Sequence, residues 1–302
     1  MASSAHMLTA EDDSRHVPGP GSLPLWNESF WFAFYDPSAE VGLTARVGTY
    51  PNQNEGNIYL HIVRQNEIVH SLVDGRAPAP APEEGRLEMA GYTIDWVEPL
   101  ERFRLHYRQG THAFDLIWKG ISPAFLYPHP PGTTAEQIPR HIEHGGAVSG
   151  RVTISGRDYE IDCFGHRDHS WGGERDWSLL PRWDYLSGEF GEDLWFNAVR
   201  VTVGQKGGPE TFLGCIWDGN DLSNLAKVEM EVLTSEGGTR QTGVDLRIVD
   251  EREREHHIVG EKVLAIAPTR FLQTWVKDGF TRYRYGERIG YGILECGYIE
   301  DE

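Results

Sequence analysis

Short hydrophobic runs alternate with clusters of turn-forming residues along almost the whole chain. From residue 25 onward, segments rich in Val, Ile, Thr and aromatic residues are separated by Gly, Pro, Asn and Asp. Residues 102–107 and 113–118 alternate between polar and apolar positions, and the segment between them suits a hairpin loop. Helical periodicity is limited to a turn or two near residues 135–140 and 221–225. The pattern predicts an all-β protein.

Two successive sets of strands follow one another, and the pattern starts again after Trp177. Each set spans on the order of 120–150 residues, a length that fits a β-barrel or a β-sandwich. We therefore predict one β domain at residues 23–176 and a second at 177–302. Residues 1–22 are polar and rich in Ser, Pro and Gly, so we predict a disordered lead-in. Its first seven residues, MASSAHM, resemble an expression remnant.

Charge and cysteine content narrow the range of partners. The 302 residues carry a formal net charge of −18. Nucleic acid and anionic membrane surfaces both require a basic face, so neither is an expected partner. The three widely spaced cysteines, Cys163, Cys215 and Cys296, indicate free thiols in a reducing compartment. No apolar run reaches the roughly 20 residues of a membrane span. We expect a cytoplasmic protein, and a homodimer is one possible assembly.

Aromatic residues are abundant and suggest a pocket for an apolar or flat ligand. The chain has ten Trp, twelve Tyr and twelve Phe. Residues 31–35 (Trp-Phe-Ala-Phe-Tyr) carry aromatic side chains at both alternating positions, which predicts a strand that is buried on both faces or lines a lumen. Trp31 and Phe34 are therefore candidate substrate-binding residues. Glu295 lies in an otherwise apolar last strand and is either a solvent-facing residue or a pocket carboxylate.

The segment 165–177 concentrates the chemistry of the chain. It holds two His, two Arg, three carboxylates, one Ser and two Trp within thirteen residues. Charged groups beside indole rings are usually desolvated, and desolvation shifts pKa values toward those useful in acid–base chemistry. On a regular strand the side chains would divide between two faces, with His166, Asp168 and Ser170 on one and Arg167, His169 and Trp171 on the other. A direct Asp168–His169 pair would need a bulge or protein on both faces.

Two other interpretations compete for this region. An ion pair between Arg167 and Asp176, or between Asp168 and Arg175, would give the segment a purely structural role at the domain junction. Upstream, His141 and Glu143 share a face if extended and, with His166 and His169, invite a metal site. The spacing is not that of a helical His-Glu-x-x-His site and no thiolate accompanies it. We predict no metal, and a pair in which Glu143 orients or charges a histidine.

Several common motifs are missing from the sequence. It has no Gly-x-Gly-x-x-Gly after a strand, no phosphate-binding loop and no Gly-x-Ser-x-Gly elbow. Nucleotide-dependent chemistry and hydrolysis of the elbow type are therefore disfavoured.

The motif resembles the signature of a known family. Gly165, followed by Arg-Asp-His-Ser-Trp-Gly at 167–172 and Arg-Asp-Trp at 175–177, is similar to the signature of the lipocalin-like CrtC/AttH-type proteins related to carotenoid 1,2-hydratase (hydroxyneurosporene synthase). Residues 150–159 resemble the hairpin before that signature, and 290–295 resemble the family's closing strand. Cys163 and the pair Gly173-Glu174 depart from the pattern. The resemblance implies two lipocalin-like barrels, no organic cofactor and an enclosed hydrophobic ligand.

Residues and resemblance together suggest a cofactor-independent acid/base enzyme. Its substrate would be a hydrophobic isoprenoid, steroid-like or aromatic molecule, and its reaction the hydration, dehydration or isomerisation of an alkene. Asp168 or His169 would deliver a proton, and Glu143 or Asp176 would position water or remove a proton. The remaining candidates contact the substrate: Trp31, Phe34, Trp171, Trp177, His166 and Glu295. Two alternatives stay open, a non-catalytic carrier of a hydrophobic ligand and a cyclase-type catalyst.

Overall fold

The computed structural model describes residues 8–81, 83, 85–128, 139–175, 180–202, 204, 207–235, 240–266, 268–271 and 274–299. Two short 3-10 helices occupy Ala10–Asp13 and Pro51–Gln53. The first set of strands comprises β1 Trp26–Asp36, β2 Val41–Tyr50, β3 Glu55–Arg64, β4 Glu67–Pro78, β5 Arg86–Met89, β6 Tyr92–Glu98, β7 Arg102–Gln109, β8 His112–Gly120, β9 Phe125–Leu126, β10 Arg140–Ile154 and β11 Arg157–Glu174. The second comprises β12 Arg182–Glu189, β13 Trp195–Thr202, β14 Glu210–Trp217, β15 Leu222–Thr234, β16 Gln241–Asp250, β17 Glu255–Ala265, β18 Thr269–Phe271, β19 Thr274–Lys277, β20 Gly279–Tyr285 and β21 Arg288–Ile299.

Each set forms one antiparallel, barrel-like sheet. The first runs in the order β4-β3-β2-β1-β11-β10-β8-β7-β6-β5, with β9 added to β10. The second runs β12-β13-β14-β15-β16-β17-β20-β21, and pairing of β12 with β21 closes it into a ring. The predicted all-β class and the two consecutive lipocalin-like barrels are confirmed. The change of sheet falls between Glu174 and Arg182, and the predicted boundary at 176/177 lies outside the described residues.

Strand β1 is buried along its whole length because each of its faces packs against a different core. Phe30, Phe32 and Phe34 point into the first barrel. Trp31 and Tyr35 point the other way, toward Trp183, Tyr185 and Phe280 of the second barrel. The prediction of a strand buried on both faces is confirmed. Phe34 belongs to the interior core of the first barrel and not to the layer between the barrels, because it lies on the same face of β1 as Phe30 and Phe32.

The N-terminal segment is packed rather than free from Leu8 onward. We predicted a disordered lead-in over residues 1–22, but Asp12 and Asp13 are buried within a 3-10 turn. Arg140 donates to Asp12 at 2.6 Å, and Arg167 donates to Asp13 from two nitrogens at 2.8 and 2.9 Å. One buried and one partly buried ion pair therefore hold a segment whose composition alone predicts disorder. Residues 1–7 lie outside the described chain.

Two further expectations concern thiols and membranes. All three cysteines are free thiols, as predicted. Within the described ranges, no helix has the length and apolar character needed to cross a bilayer.

Candidate active site between the two barrels

Strand β11 lies between β1 and β10 and sends alternate side chains to opposite faces. Asp168 is the direct neighbour of Trp31 on β1 and of Glu143 on β10, and the pairing is regular from residue 165 to 171. Directly paired residues share a face of the sheet. Asp168, His166, Glu143 and Trp31 therefore all face the second barrel. The predicted alternation is confirmed, and no bulge brings His169 to the same side.

Glu143 is the centre of a buried hydrogen-bond network. One carboxylate oxygen contacts His141 Nε2 at 2.7 Å, and the other contacts His166 Nε2 at 2.9 Å. The hydroxyl of Tyr185 donates to the second oxygen at 2.7 Å. Tyr127 places its hydroxyl 3.1 Å from the first oxygen. Burial disfavours the carboxylate, but the two histidines outweigh it and lower the pKa of Glu143 to about 2. Glu143 is therefore a permanent negative charge near neutral pH.

His166 bridges two carboxylates from different barrels. Its Nε2 faces Glu143 and its Nδ1 lies 2.7 Å from Glu189 at the end of β12. Burial opposes the imidazolium, yet the hydrogen bonds and charges of both glutamates raise the pKa of His166 to about 9. The Glu143–His166–Glu189 array is thus a charged bridge between the barrels, in which both imidazole nitrogens donate.

Asp168 lies on the same face of the sheet as Glu143 and His166, but its surroundings differ from theirs. Its side chain is partly exposed, and within the described ranges no group donates a hydrogen bond to it. Desolvation raises the pKa of Asp168, and the charge of Glu143 adds to this effect, while His141, Arg46 and Arg175 oppose it. The pKa of Asp168 is therefore raised while that of the neighbouring Glu143 is lowered, a separation typical of acid–base sites.

A second carboxyl pair lies on the same side of the second barrel. Asp278, just before β20, hydrogen-bonds to Glu295 on β21, and Trp183 Nε1 donates to Glu295 at 2.5 Å. Burial raises the pKa of Asp278 to about 6 and raises that of Glu295 well above its ordinary value. Asp168 is close enough for its charge to influence Glu295. The interface thus holds an excess of carboxyls, and burial raises the pKa values of three of them, Asp168, Asp278 and Glu295.

The opposite face of β11 carries a separate ionic cluster inside the first barrel. Arg167 pairs with Asp13, and His169 lies 3.2 Å from both Asp13 and Glu28. Nδ1 of His16 is 2.9 Å from the same Glu28 oxygen. His16, Glu28 and His169 form one group among the described residues with three donor atoms close enough for a metal ion. These side chains already hydrogen-bond one another, and Arg167 and His169 balance the two carboxylates, so neutrality requires no added cation.

The predicted site residues therefore separate into three groups. Five of them meet between the barrels: Trp31, Glu143, His166, Asp168 and Glu295. Three do not: His169 and Trp171 stack on each other inside the first barrel, and Phe34 lies in its core. Asp176 and Trp177 lie outside the described residues. Among the described residues Arg167 pairs with Asp13, and its predicted partner Asp176 lies outside them.

Sequence reasoning missed the contributions of the second barrel and of the N-terminal segment. The residues concerned are Asp13, Glu28, Tyr127, Tyr185, Glu189 and Asp278. Tyr185 and Glu189 lie on alternate positions of β12 together with Trp183, facing the first barrel. A carboxylate on an otherwise buried strand was the one available signal for Glu189. Nothing local distinguished Asp13 from neighbouring surface acids.

Known structures share this two-barrel arrangement. An AttH protein from Nitrosomonas europaea superimposes with a TM-score of 0.70 at 14% identity, covering 95% of this chain and 100% of its own. Kievitone hydratase from Nectria haematococca matches with a TM-score of 0.65 at 14% identity, covering 90% of this chain and 89% of its own. CghA matches with a TM-score of 0.65 at 12% identity, covering 97% and 95%.

These similarities confirm the resemblance to the lipocalin-like CrtC/AttH-type fold, and at such identities they concern the fold alone. No curated protein sequence matches the chain. The family model for a domain of unknown function, DUF7064, matches residues 9–298. Because that match spans nearly the whole sequence, the chain belongs to the DUF7064 family.

Proposed function

We propose that this protein is a cofactor-independent acid/base enzyme that binds a hydrophobic substrate between its barrels and hydrates, dehydrates or isomerises an alkene. One observation carries the proposal: a partly exposed carboxyl with a raised pKa, Asp168, lies on the same face as Glu143 and His166, which are both charged at neutral pH. Both kinds of group are needed when a proton is first given and then taken back.

Asp168 is the proposed proton donor. For hydration, its proton would add to one alkene carbon, and a cation would develop on the other. The negative charge of Glu143 and the ring face of Trp31 would stabilise that cation. Water would then bond to the cationic carbon and return a proton to the Asp168 carboxylate, which restores the enzyme. Dehydration follows the reverse path, and loss of a proton from a neighbouring carbon gives isomerisation.

The surroundings of Asp168 favour an apolar substrate. The layer between the barrels is built largely from aromatic and aliphatic side chains, including Trp31, Tyr59, Trp183, Phe280 and Ile293. Such a wall suits an isoprenoid, steroid-like or aromatic molecule better than a sugar or nucleotide. Kievitone hydratase, one of the fold neighbours, is by name a hydratase, which is compatible with this chemistry on the same architecture.

Asp168→Asn tests the proposal because it keeps the shape of the side chain and removes its acid. The assay incubates prenylated and terpenoid alkenes with the enzyme and records the gain or loss of one water by mass spectrometry. We expect turnover to fall by about 100-fold or more in the variant, while substrate affinity changes little.

The matched control is Asp162→Asn, an exposed aspartate on the same strand, which should leave turnover unchanged. Full turnover by Asp168→Asn would remove Asp168 from the chemistry. Tight binding of these compounds without any mass change would favour the carrier, and a product of unchanged mass with a new ring would favour the cyclase-type catalyst.

A further inference from the structure

A cavity opens at one end of the second barrel. Its volume is about 550 Å³, within the range of small-molecule sites. It lies where β12, β14 and β16 begin and β13, β15 and β21 end. Its apolar wall includes Val232, Tyr298 and Ile299, and its polar wall includes Gln241 and Cys296. None of its lining residues belongs to the Glu143–His166–Glu189 array.

Lys262 lies beside this cavity and has no ion-pair partner among the described residues. Its Nζ donates to Gln241 Oε1 at 2.7 Å. Burial lowers the pKa of Lys262 to about 8, while Cys296 and Asp278 favour the charged form and Lys277 and Arg240 disfavour it. A half-buried ammonium with one neutral hydrogen-bond acceptor can still gain from a further anionic partner.

The backbone at Gly279 lies directly against the side chain of Lys262. A Cβ at residue 279 would fall 1.8 Å from Lys262 Cε, so this position has no room for a side chain. Across the barrel, Asp184 already accepts from Arg200 at 2.6 and 2.9 Å and from the Cys296 thiol at 2.7 Å. The charge of Asp184 is therefore satisfied by other groups, whereas the hydrogen-bond partner of Lys262 is the neutral Gln241 and its compensating charge is the neighbouring Asp278.

The charge of the cavity mouth also differs from that of the whole chain. Arg182 and Lys277 line it against a single lining acid, Glu210, although Arg182 also lies 3.4 Å from Asp184. Lys262 adds a third positive charge through its hydrogen bond to the lining residue Gln241. The chain as a whole carries a net charge of −18. A local excess of positive charge beside an apolar wall is complementary to an apolar molecule with one anionic end.

We propose that this cavity binds an amphiphilic carboxylate, with the carboxylate on Lys262 and the Gln241 amide and the apolar body against Val232, Tyr298 and Ile299. The site is independent of the alkene chemistry proposed between the barrels. Binding is non-covalent and requires no other component.

Calorimetric titration with decanoate tests this site, and decanol, which has the same chain without the charge, tests the role of the carboxylate. We expect decanoate to bind the intact protein at least tenfold more tightly than decanol. Lys262→Met should weaken decanoate binding at least tenfold and leave decanol binding unchanged. The matched control is Lys227→Met, an exposed lysine on the outside of β15, which should bind decanoate like the parent protein.

Two further variants locate the binding event. Val232→Trp should block decanoate by filling the cavity, whereas Asp168→Asn should leave its affinity unchanged, which distinguishes this site from the one between the barrels. Circular dichroism establishes that each variant is folded. The proposal is overturned if decanoate does not bind, if decanol binds equally well, or if folded Lys262→Met retains full affinity.

Discussion

The two faces of β11 carry buried ionic clusters that differ in their balance of charge. Toward the interior of the first barrel, Asp13 and Glu28 face Arg167 and His169, so two carboxylates meet two cations. Toward the second barrel, one imidazolium, His166, lies among several carboxyls. Both clusters are desolvated and both involve histidine. They differ in whether every charge has a partner.

This difference determines how each cluster holds its protons. In the interior cluster the pKa values of Asp13 and Glu28 are lowered and that of His169 is raised, because partner charges outweigh burial. Between the barrels, burial prevails at Asp168 and raises its pKa, while Glu143 stays ionised. A balanced cluster fixes structure. An unbalanced one retains groups that can exchange protons.

The largest expected effect comes from breaking the balanced cluster. Arg167→Ala would leave Asp13 buried with one cationic partner fewer, and removing one member of a buried ion pair typically costs about 3–5 kcal/mol. The free energy of unfolding, measured by urea titration, should fall by that amount.

Two controls sharpen this result. Arg104→Ala breaks an ion pair of similar geometry with Asp115 on the surface, so its cost should stay below about 1 kcal/mol. Asp168→Asn, one position along β11 from Arg167, should not lower the stability at pH 7, because burial already disfavours its charged form. Equal losses for Arg167→Ala and Asp168→Asn would erase the distinction between the two faces.

A second effect should be seen in the pH dependence of stability. Folded His166 keeps its proton up to about pH 9, whereas an unfolded histidine loses it near 6.5. The folded state therefore binds more protons between these values, so its stability is full below pH 6.5 and falls as the pH rises to 9. The loss is about 3 kcal/mol, at about 1.4 kcal/mol per pH unit.

His166→Gln isolates this contribution from that of His169, whose raised pKa affects both proteins in the same window. The difference in unfolding free energy between parent and variant should narrow from pH 6.5 to 9. A constant difference across that range would mean that His166 is neutral in the folded state, and the charged bridge between the barrels would have to be abandoned.

Features that depend on neighbouring residues could be predicted from the sequence, whereas contacts between residues far apart in the chain could not. The period-two alternation in β1 and β11 is local, so it correctly placed His166 and Asp168 on one face of β11 and correctly predicted that β1 is buried on both faces. The partners of these faces are distant in sequence: Asp13 contacts a residue 154 positions away, and Tyr185 contacts one 42 positions away. Which side chains meet across the interface depends on how the two barrel-like sheets pack, and no local sequence pattern encodes that packing.

The smallest effect compares two buried tyrosine hydroxyls. Tyr185 donates to the ionised Glu143 at 2.7 Å, and a hydrogen bond to a charged group contributes about 1.5–3 kcal/mol. Tyr92 is equally enclosed in the first barrel, but in the described chain its hydroxyl has no hydrogen-bond partner. Tyr185→Phe should therefore lower the free energy of unfolding by that amount. Tyr92→Phe should be neutral or stabilising, because it removes a buried hydroxyl that has no hydrogen-bond partner among the described residues.

Equal effects of the two substitutions would contradict this comparison. The hydrogen bond from Tyr185 would then add nothing to the stability beyond side-chain packing, and it would not account for the ionised state of Glu143.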